Sequence, residues 1–325
     1  MNILAFRLPA GVFLAVVFLL FFVQLKVENP LLLLERFIEG GGWFEIFVVG
    51  IYGALVAWHM QDPKKVAKWR KYTWFAFSIV FFSQLLLGLL VSEKFLMSGQ
   101  LHLPVPMMIL AGPIYRGQAS VMTILFLSTV ILSGPAWCSH LCYFGAIDNL
   151  AAGGKTRRSP IRNKWALKWT VLLLIIFAAI VLRWMNVPVL SATLLAGGFG
   201  IIGLALILII SRKEGRMAHC TAYCPIGTVV NLSHKVNPFR MFIDNNSCTD
   251  CLVCTTSCKY DALNLADIKA RRPGLTCTLC GDCLSSCHSG SIKYRFLQLS
   301  PEASRKLYLL ITITLHAATM ALARI

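Results

Sequence analysis

The longest apolar runs constrain this chain more than any other feature. In lipid, only a helix or a closed barrel satisfies its own backbone polar groups. A helix needs about 20 apolar residues to cross. Runs of that kind lie near 8–25, 44–60, 73–92, 118–134, 168–184, 190–210 and 305–323. The chain is 57% hydrophobic and 14% charged, the balance of a membrane protein. Only Arg7 precedes the first apolar run, and no A-x-A-like end follows it, so it reads as an anchor, not a cleaved signal.

Lys and Arg exceed Asp and Glu by 17. In a membrane protein such an excess marks the cytoplasmic loops. Segments 61–72, 153–168 and 211–219 hold five, six and three basic residues, whereas 26–42 and 93–117 hold two each. The alternation orients seven helices with the N-terminus inside and places 211–304 on the cytoplasmic face. Lipid is the expected surround. No basic stripe interleaved with aromatics lies outside the loops, so nucleic acid is not an expected partner.

The twelve cysteines fall in a pattern. Eight form two copies of C-x2-C-x2-C-x3-C, CTDCLVCTTSC and CTLCGDCLSSC. In this spacing three thiolates of one loop reach three irons of a cubane, and the fourth, further along, belongs to the other cluster. The expected ligand sets are Cys248, Cys251, Cys254 with Cys287, and Cys277, Cys280, Cys283 with Cys258. Structural zinc uses two close pairs instead, and cytoplasmic thiols stay reduced. Two [4Fe–4S] clusters are therefore expected. Lys259, Lys269, Arg271, Arg272 and Lys293 are candidates to offset their negative charge.

The other four cysteines form a repeat. CSHLCYFGAIDNL (138–150) and CTAYCPIGTVVNL (220–232) share Cys at +0 and +4, Gly at +7, Asn at +11 and Leu at +12. Each follows an apolar span. Residues i and i+4 share a helical face, which suits a metal or cluster better than a strained disulfide. Pro225, Gly145 and Gly227 suggest broken backbone, tolerated at membrane depth only inside protein. Three readings stay open for Cys138, Cys142, Cys220 and Cys224: a third [4Fe–4S] cluster, redox-active or transient metal-binding thiols, or packing thiols. His140 and His219 are candidate extra ligands.

Residues 240–298 resemble the bacterial two-cluster ferredoxin domain, with Lys259 and His288 where a proline usually follows the fourth cysteine. Its post-cysteine segments, YDALNL and GSIKYRF, look like short strands. CxxxCP-type motifs ahead of such a domain resemble the membrane polyferredoxins, over residues 118–298. These include the quinol-dehydrogenase subunit of periplasmic nitrate reduction, the core of the nitrous-oxide reductase maturation protein and a cytochrome oxidase assembly ferredoxin. CTAYCPIG matches the motif fully, whereas Tyr143 stands at the proline position of the first copy.

The expected fold is an α-helical integral membrane bundle of six or seven helices with an inserted α+β ferredoxin domain. Its parts are 1–239, 240–298 and a C-terminal membrane helix in 299–325. The resemblance implies electron transfer between the quinone pool and other redox subunits of a larger complex. The alternative it leaves open is an assembly factor that reduces or handles a metal for another enzyme. Polar residues that could face a quinone are His59, Glu93, His102 and Arg116.

Overall fold

The computed structural model describes residues 3–28, 30–96, 104–154 and 160–322. Among them six helices are long and apolar enough to cross a membrane: α1 (Phe6–Lys26), α2 (Gly41–Met60), α3 (Val66–Leu90), α4 (Met122–Leu141), α5 (Lys164–Trp184) and α6 (Val189–Glu214). The protein is an α-helical integral membrane bundle carrying a small sheet and a ferredoxin-type domain.

A further helix, α7 (Pro301–Leu322), has 22 residues, reaching about 33 Å at 1.5 Å per residue. It falls outside the six because its inner face is polar. Tyr308, Thr312, Thr314, His316 and Thr319 are buried there, beside Ile313, Ala317 and Ala318. A helix surrounded by protein can carry such groups if they find partners. His316 does so with both ring nitrogens, at 2.9 Å from the Tyr52 hydroxyl and 2.8 Å from the His140 carbonyl. Small residues seat α7 against its neighbours. A Cβ on Gly53 would lie 3.1 Å from Val12 and 3.6 Å from Ala317, the close approach by which membrane helices pack.

Two helices depart from the expected spans. α3 begins at Val66 instead of near 73, so much of the basic segment 61–72 is helical. Within that helical stretch Arg70 points inward and is 1% exposed. α4 runs past 134 but loses α geometry there. Gly134 takes φ +63°, and Ser133 to Cys142 are all buried. Asn237 donates to the Ile131 carbonyl at 3.0 Å, satisfying one acceptor freed by the break.

The ferredoxin-type region is closed by two antiparallel strands, β1 (Phe239–Ile243) and β2 (Ile292–Phe296), pairing Phe239 with Phe296 and Ile243 with Ile292. GSIKYRF supplies β2, but YDALNL is not a strand. Its Asp261 sits at φ +53° as the hub of two ion pairs, and its Ala262 N–H points at the Cys258 sulfur. The region docks on the bundle through one continuous apolar core. The Tyr308 ring of α7 lies 4.9 Å from Tyr294 and 5.5 Å from Phe239.

Candidate functional site

The loop CTDCLVCTTSC curls because Asp250 and Leu252 adopt positive φ. Three of its thiols then face one small cavity, lined by Cys248, Cys251 and Cys254 together with Cys287 from the second loop. Leu279 and Gly281 give the second loop the same curl. Its cavity is lined by Cys277, Cys280 and Cys283 together with Cys258 from the first loop. Backbone N–H groups aim at the sulfurs: Tyr260 and Ala262 at Cys258, Ser291 and Ile292 at Cys287. Cysteines 248–287 are free thiols. Four free thiols around one apolar cavity, with N–H donors behind them, fit a cubane that adds negative charge to its ligands. Among the described residues, no three His, Cys, Asp or Glu side chains close tightly enough to hold a single metal ion.

The thiols of the first cavity are not equivalent. Burial, then the neighbouring Cys287 and Cys251, push Cys254 up to about 11. Burial also acts on Cys287, but hydrogen bonds from Ser289, Ile292 and Ser291 outweigh it and hold its thiol below the ordinary value. Only the thiolate reacts. In cluster-free protein at about pH 8, iodoacetamide is therefore expected to label Cys287 well before Cys254, with the gap closing as pH approaches that of Cys254. Equal rates at pH 8, read by peptide mass spectrometry, would contradict this.

The two membrane motifs are built alike. Each passes through one wide π-type turn, Trp137–Leu141 and His219–Tyr223, and then through an extended cysteine. Cys142 has φ −87°, ψ 117°, and Cys224 has φ −70°, ψ 120°. A nine-residue helix follows each, Tyr143–Ala151 and Pro225–Ser233. Pro225 thus starts a helix instead of breaking one, as its missing N–H allows at that position. Tyr143 takes the same backbone without the proline, its ring stacked 4.0 Å from Phe81. The paired glycines are not breaks either. A Cβ on Gly145 would stand 2.9 Å from the Cys138 carbonyl, and one on Gly227 would stand 2.7 Å from that of Cys220. Overpacking of this kind costs roughly 1–3 kcal/mol. Gly227→Ala should therefore lower thermal stability by that amount, and an unchanged melting curve would refute the packing role.

Cys138, Cys142 and Cys224 share one buried core, and all four motif thiols lie within electrostatic reach of one another. The Cys142 sulfur accepts from the Phe144 and Gly145 N–H groups, and Cys224 accepts from the equivalent Ile226 and Gly227. All four are free. His140 is committed to the Ser139 hydroxyl at 2.9 Å. Both ring nitrogens of His219 are buried without a hydrogen-bond partner, against Phe144 and Tyr223.

The second ferredoxin cavity abuts this membrane site. Tyr260, two residues after Cys258, donates its hydroxyl to the Cys138 carbonyl at 2.8 Å and packs with Cys220, Cys258 and Cys280. Arg70 grips Asp282 with two hydrogen bonds, 2.8 and 2.6 Å, and donates to the Ser139 carbonyl at 3.1 Å. Asp282 lies between Cys280 and Cys283, and Ser139 between Cys138 and Cys142. Lys164 and Arg216 both pair with Asp261 at 2.9 Å. Lys259 donates to the Asn149 carbonyl and side chain, at the +11 position of the first motif.

Sequence reasoning missed Arg70, Tyr260, Asp261 and Asp282, because nothing local distinguishes them from loop polarity. Arg271 and Lys293, expected to offset cluster charge, pair with Asp250 and Asp244. The structure does not gather the quinone candidates. His59 stacks on Trp69 at 3.8 Å, Glu93 and Arg116 are exposed, and His102 lies outside the described residues.

Comparison with known proteins places the same motifs in context. The family described as "4Fe-4S binding domain" matches twice, at residues 118–168 and 196–241. Those matches contain the CxxxC pairs, not the ferredoxin loops. The uncharacterized protein MJ0749 of Methanocaldococcus jannaschii is 25% identical over 191 residues, 55% of this chain and 72% of that protein. YccM of Escherichia coli K12, whose name assigns it provisionally to electron transport, is 25% identical over 223 residues, 61% of each chain. The chain thus spans less than two thirds of YccM's length. No solved structure matches significantly. A 4Fe–4S binding domain is part of this chain.

Proposed function

We propose that the protein is a membrane-bound iron–sulfur electron carrier working between the quinone pool and a partner redox protein, as one subunit of a larger complex. Three [4Fe–4S] clusters supply one-electron chemistry, held by Cys248, Cys251, Cys254 and Cys287, by Cys277, Cys280, Cys283 and Cys258, and by Cys138, Cys142, Cys220 and Cys224. The observation that carries the reading is the Tyr260 contact. One side chain joins the segment of Cys258 to the carbonyl of Cys138, so the second cavity and the membrane site share a wall. The membership of that wall is what a relay needs and a solitary anchor does not.

The remaining residues set the environment. Arg70 and Asp282 lock the two sites together, and the N–H groups of Tyr260, Ala262, Phe144, Gly145, Ile226 and Gly227 favour the charged form of the sulfurs they face. YccM's name points the same way. The basic loops argue for the ferredoxin domain on the cytoplasmic side of the inner membrane. Burial weighs against the alternative of metal handling, in which a donor thiol must be reached: Cys138, Cys142 and Cys224 are each 7–8% exposed, and Cys220 is half-buried.

The test uses protein purified in lipid nanodiscs and reduced anaerobically with a quinol. Bleaching of the iron–sulfur absorbance near the quinol potential is the expected result. If dithionite reduces the protein but no quinol does, and no quinone co-purifies, the quinone half of the proposal fails.

A further inference from the structure

One buried charge in the membrane half has no ion-pair partner among the described residues. Lys168 lies on α5 between Leu167 and Trp169, which are 47% and 42% exposed, whereas Lys168 itself is 1% exposed. The helix is inside-out at this point, with apolar groups outward and an ammonium inward. Among the described residues no carboxylate pairs with it. Its Nζ donates to the Cys220 carbonyl at 3.4 Å, stands 3.6 Å from where a Gly227 Cβ would be, and lies within electrostatic reach of Cys138, Cys220 and Cys224. It also sits near the N-terminal end of its helix, where the dipole disfavours a cation. Burying an ammonium with no counter-charge is unfavourable, because nothing offsets its desolvation. Neutral thiols do not supply that counter-charge, and thiolates bound to a cluster do.

We infer that Lys168 is the built-in counter-ion of the site formed by Cys138, Cys142, Cys220 and Cys224, and that it makes whatever those cysteines hold easier to reduce than an uncompensated site would be. The inference rests on the reading that these four cysteines hold a cluster, and it deepens that reading by assigning a positioning residue outside both motifs. The sign follows from charge. Each added electron increases the negative charge of a thiolate-bound cluster, and a fixed cation nearby favours that state. One unit charge at close range in a partly buried site is expected to shift the redox equilibrium at least tenfold.

The test compares wild type, Lys168→Met and Lys168→Arg as full chains in nanodiscs, by iron content and by EPR-monitored redox titration. In Lys168→Met the reduced-to-oxidised ratio assigned to the membrane site should fall at least tenfold at fixed ambient potential, a shift of about 59 mV for one electron. The two ferredoxin signals should stay in place, and Lys168→Arg should stay near wild type. Loss of about four irons from Lys168→Met but not from Lys168→Arg also supports a role of charge. Loss from both variants, or an unshifted signal in Lys168→Met at full iron content, overturns the inference and leaves the cluster reading standing. If wild type itself binds only about eight irons, the cluster reading fails first and the inference with it.

Discussion

Replacing Cys138 or Cys220 with serine is expected to lower bound iron from about twelve to about eight atoms per chain, while the eight ferredoxin cysteines keep theirs. Each cysteine comes from a different motif, so each substitution tests whether the two halves of the repeat serve one site. Each variant removes one sulfur from a group of four within electrostatic reach of one another, and both Cys138 and Cys220 also lie within reach of the Lys168 ammonium. Either variant would leave the site one sulfur short, with the Asp148 carboxylate, which accepts from the Cys220 N–H at 3.0 Å, as a neighbouring oxygen donor. His140 is committed to Ser139, and His219 packs between Phe144 and Tyr223. Iron and acid-labile sulfide, measured side by side in the three proteins, give the answer. About eight irons in all three would remove the membrane cluster. Loss of all iron in either variant would mean that the fold had failed, which Cys142→Ala and Cys224→Ala would expose by the same assay.

Truncating Arg70 to alanine should destabilise the docking of the ferredoxin region by about 3–5 kcal/mol, the range for breaking one side of a buried ion pair. Arg70 is 1% exposed and the Asp282 side chain 10%. Losing the guanidinium strands the Asp282 carboxylate beside Cys280 and Cys283 and leaves the Ser139 carbonyl without its donor. Asp282→Ala should cost a similar amount by stranding Arg70. The double variant Arg70→Met with Asp282→Leu should recover part of the loss, because a buried pair contributes little beyond the cost of desolvating it. Thermal unfolding in nanodiscs, followed by protease access to the 240–298 region, reads the effect. Single variants that melt like wild type would show that the apolar core around Tyr294 and Tyr308 holds the region by itself.

Much of the architecture follows from patterns of short range. Apolar length alone marks the membrane helices, because hydrocarbon leaves the backbone no other partner than itself. The three-plus-one cysteine spacing groups the ferredoxin thiols, because the cubane imposes its own reach on a short loop. The glycine at +7 of each motif is visible in the sequence, yet its purpose is not. It permits contact with the carbonyl of the first cysteine, a distance that exists only after the chain has turned. Tyr143 illustrates the converse. Its lack of proline looks like a change of backbone, and the structure keeps the backbone through a stacked ring at Phe81.

The clearest division lies among the basic residues. Arg70, Lys164, Lys168 and Arg216 all sit in segments whose positive charge reads as membrane topology. A charge at a helix end looks the same in sequence whether it faces headgroups or protein. Tertiary contacts separate the two. Lys64, Lys65, Lys68 and Lys71 stay exposed, whereas Arg70 meets Asp282, Lys164 and Arg216 meet Asp261, and Lys168 meets the Cys220 carbonyl within electrostatic reach of Cys138, Cys220 and Cys224. The sequence by itself determined that this is a membrane bundle with a cysteine-ligated domain and a repeated CxxxC motif, since length, apolarity and ligand spacing act within a few residues. Only the tertiary structure decided which cations are structural or functional and that the second ferredoxin cavity adjoins the membrane site. Those facts depend on groups far apart in sequence meeting within a few ångströms, as Arg70 and Asp282 do across 212 residues.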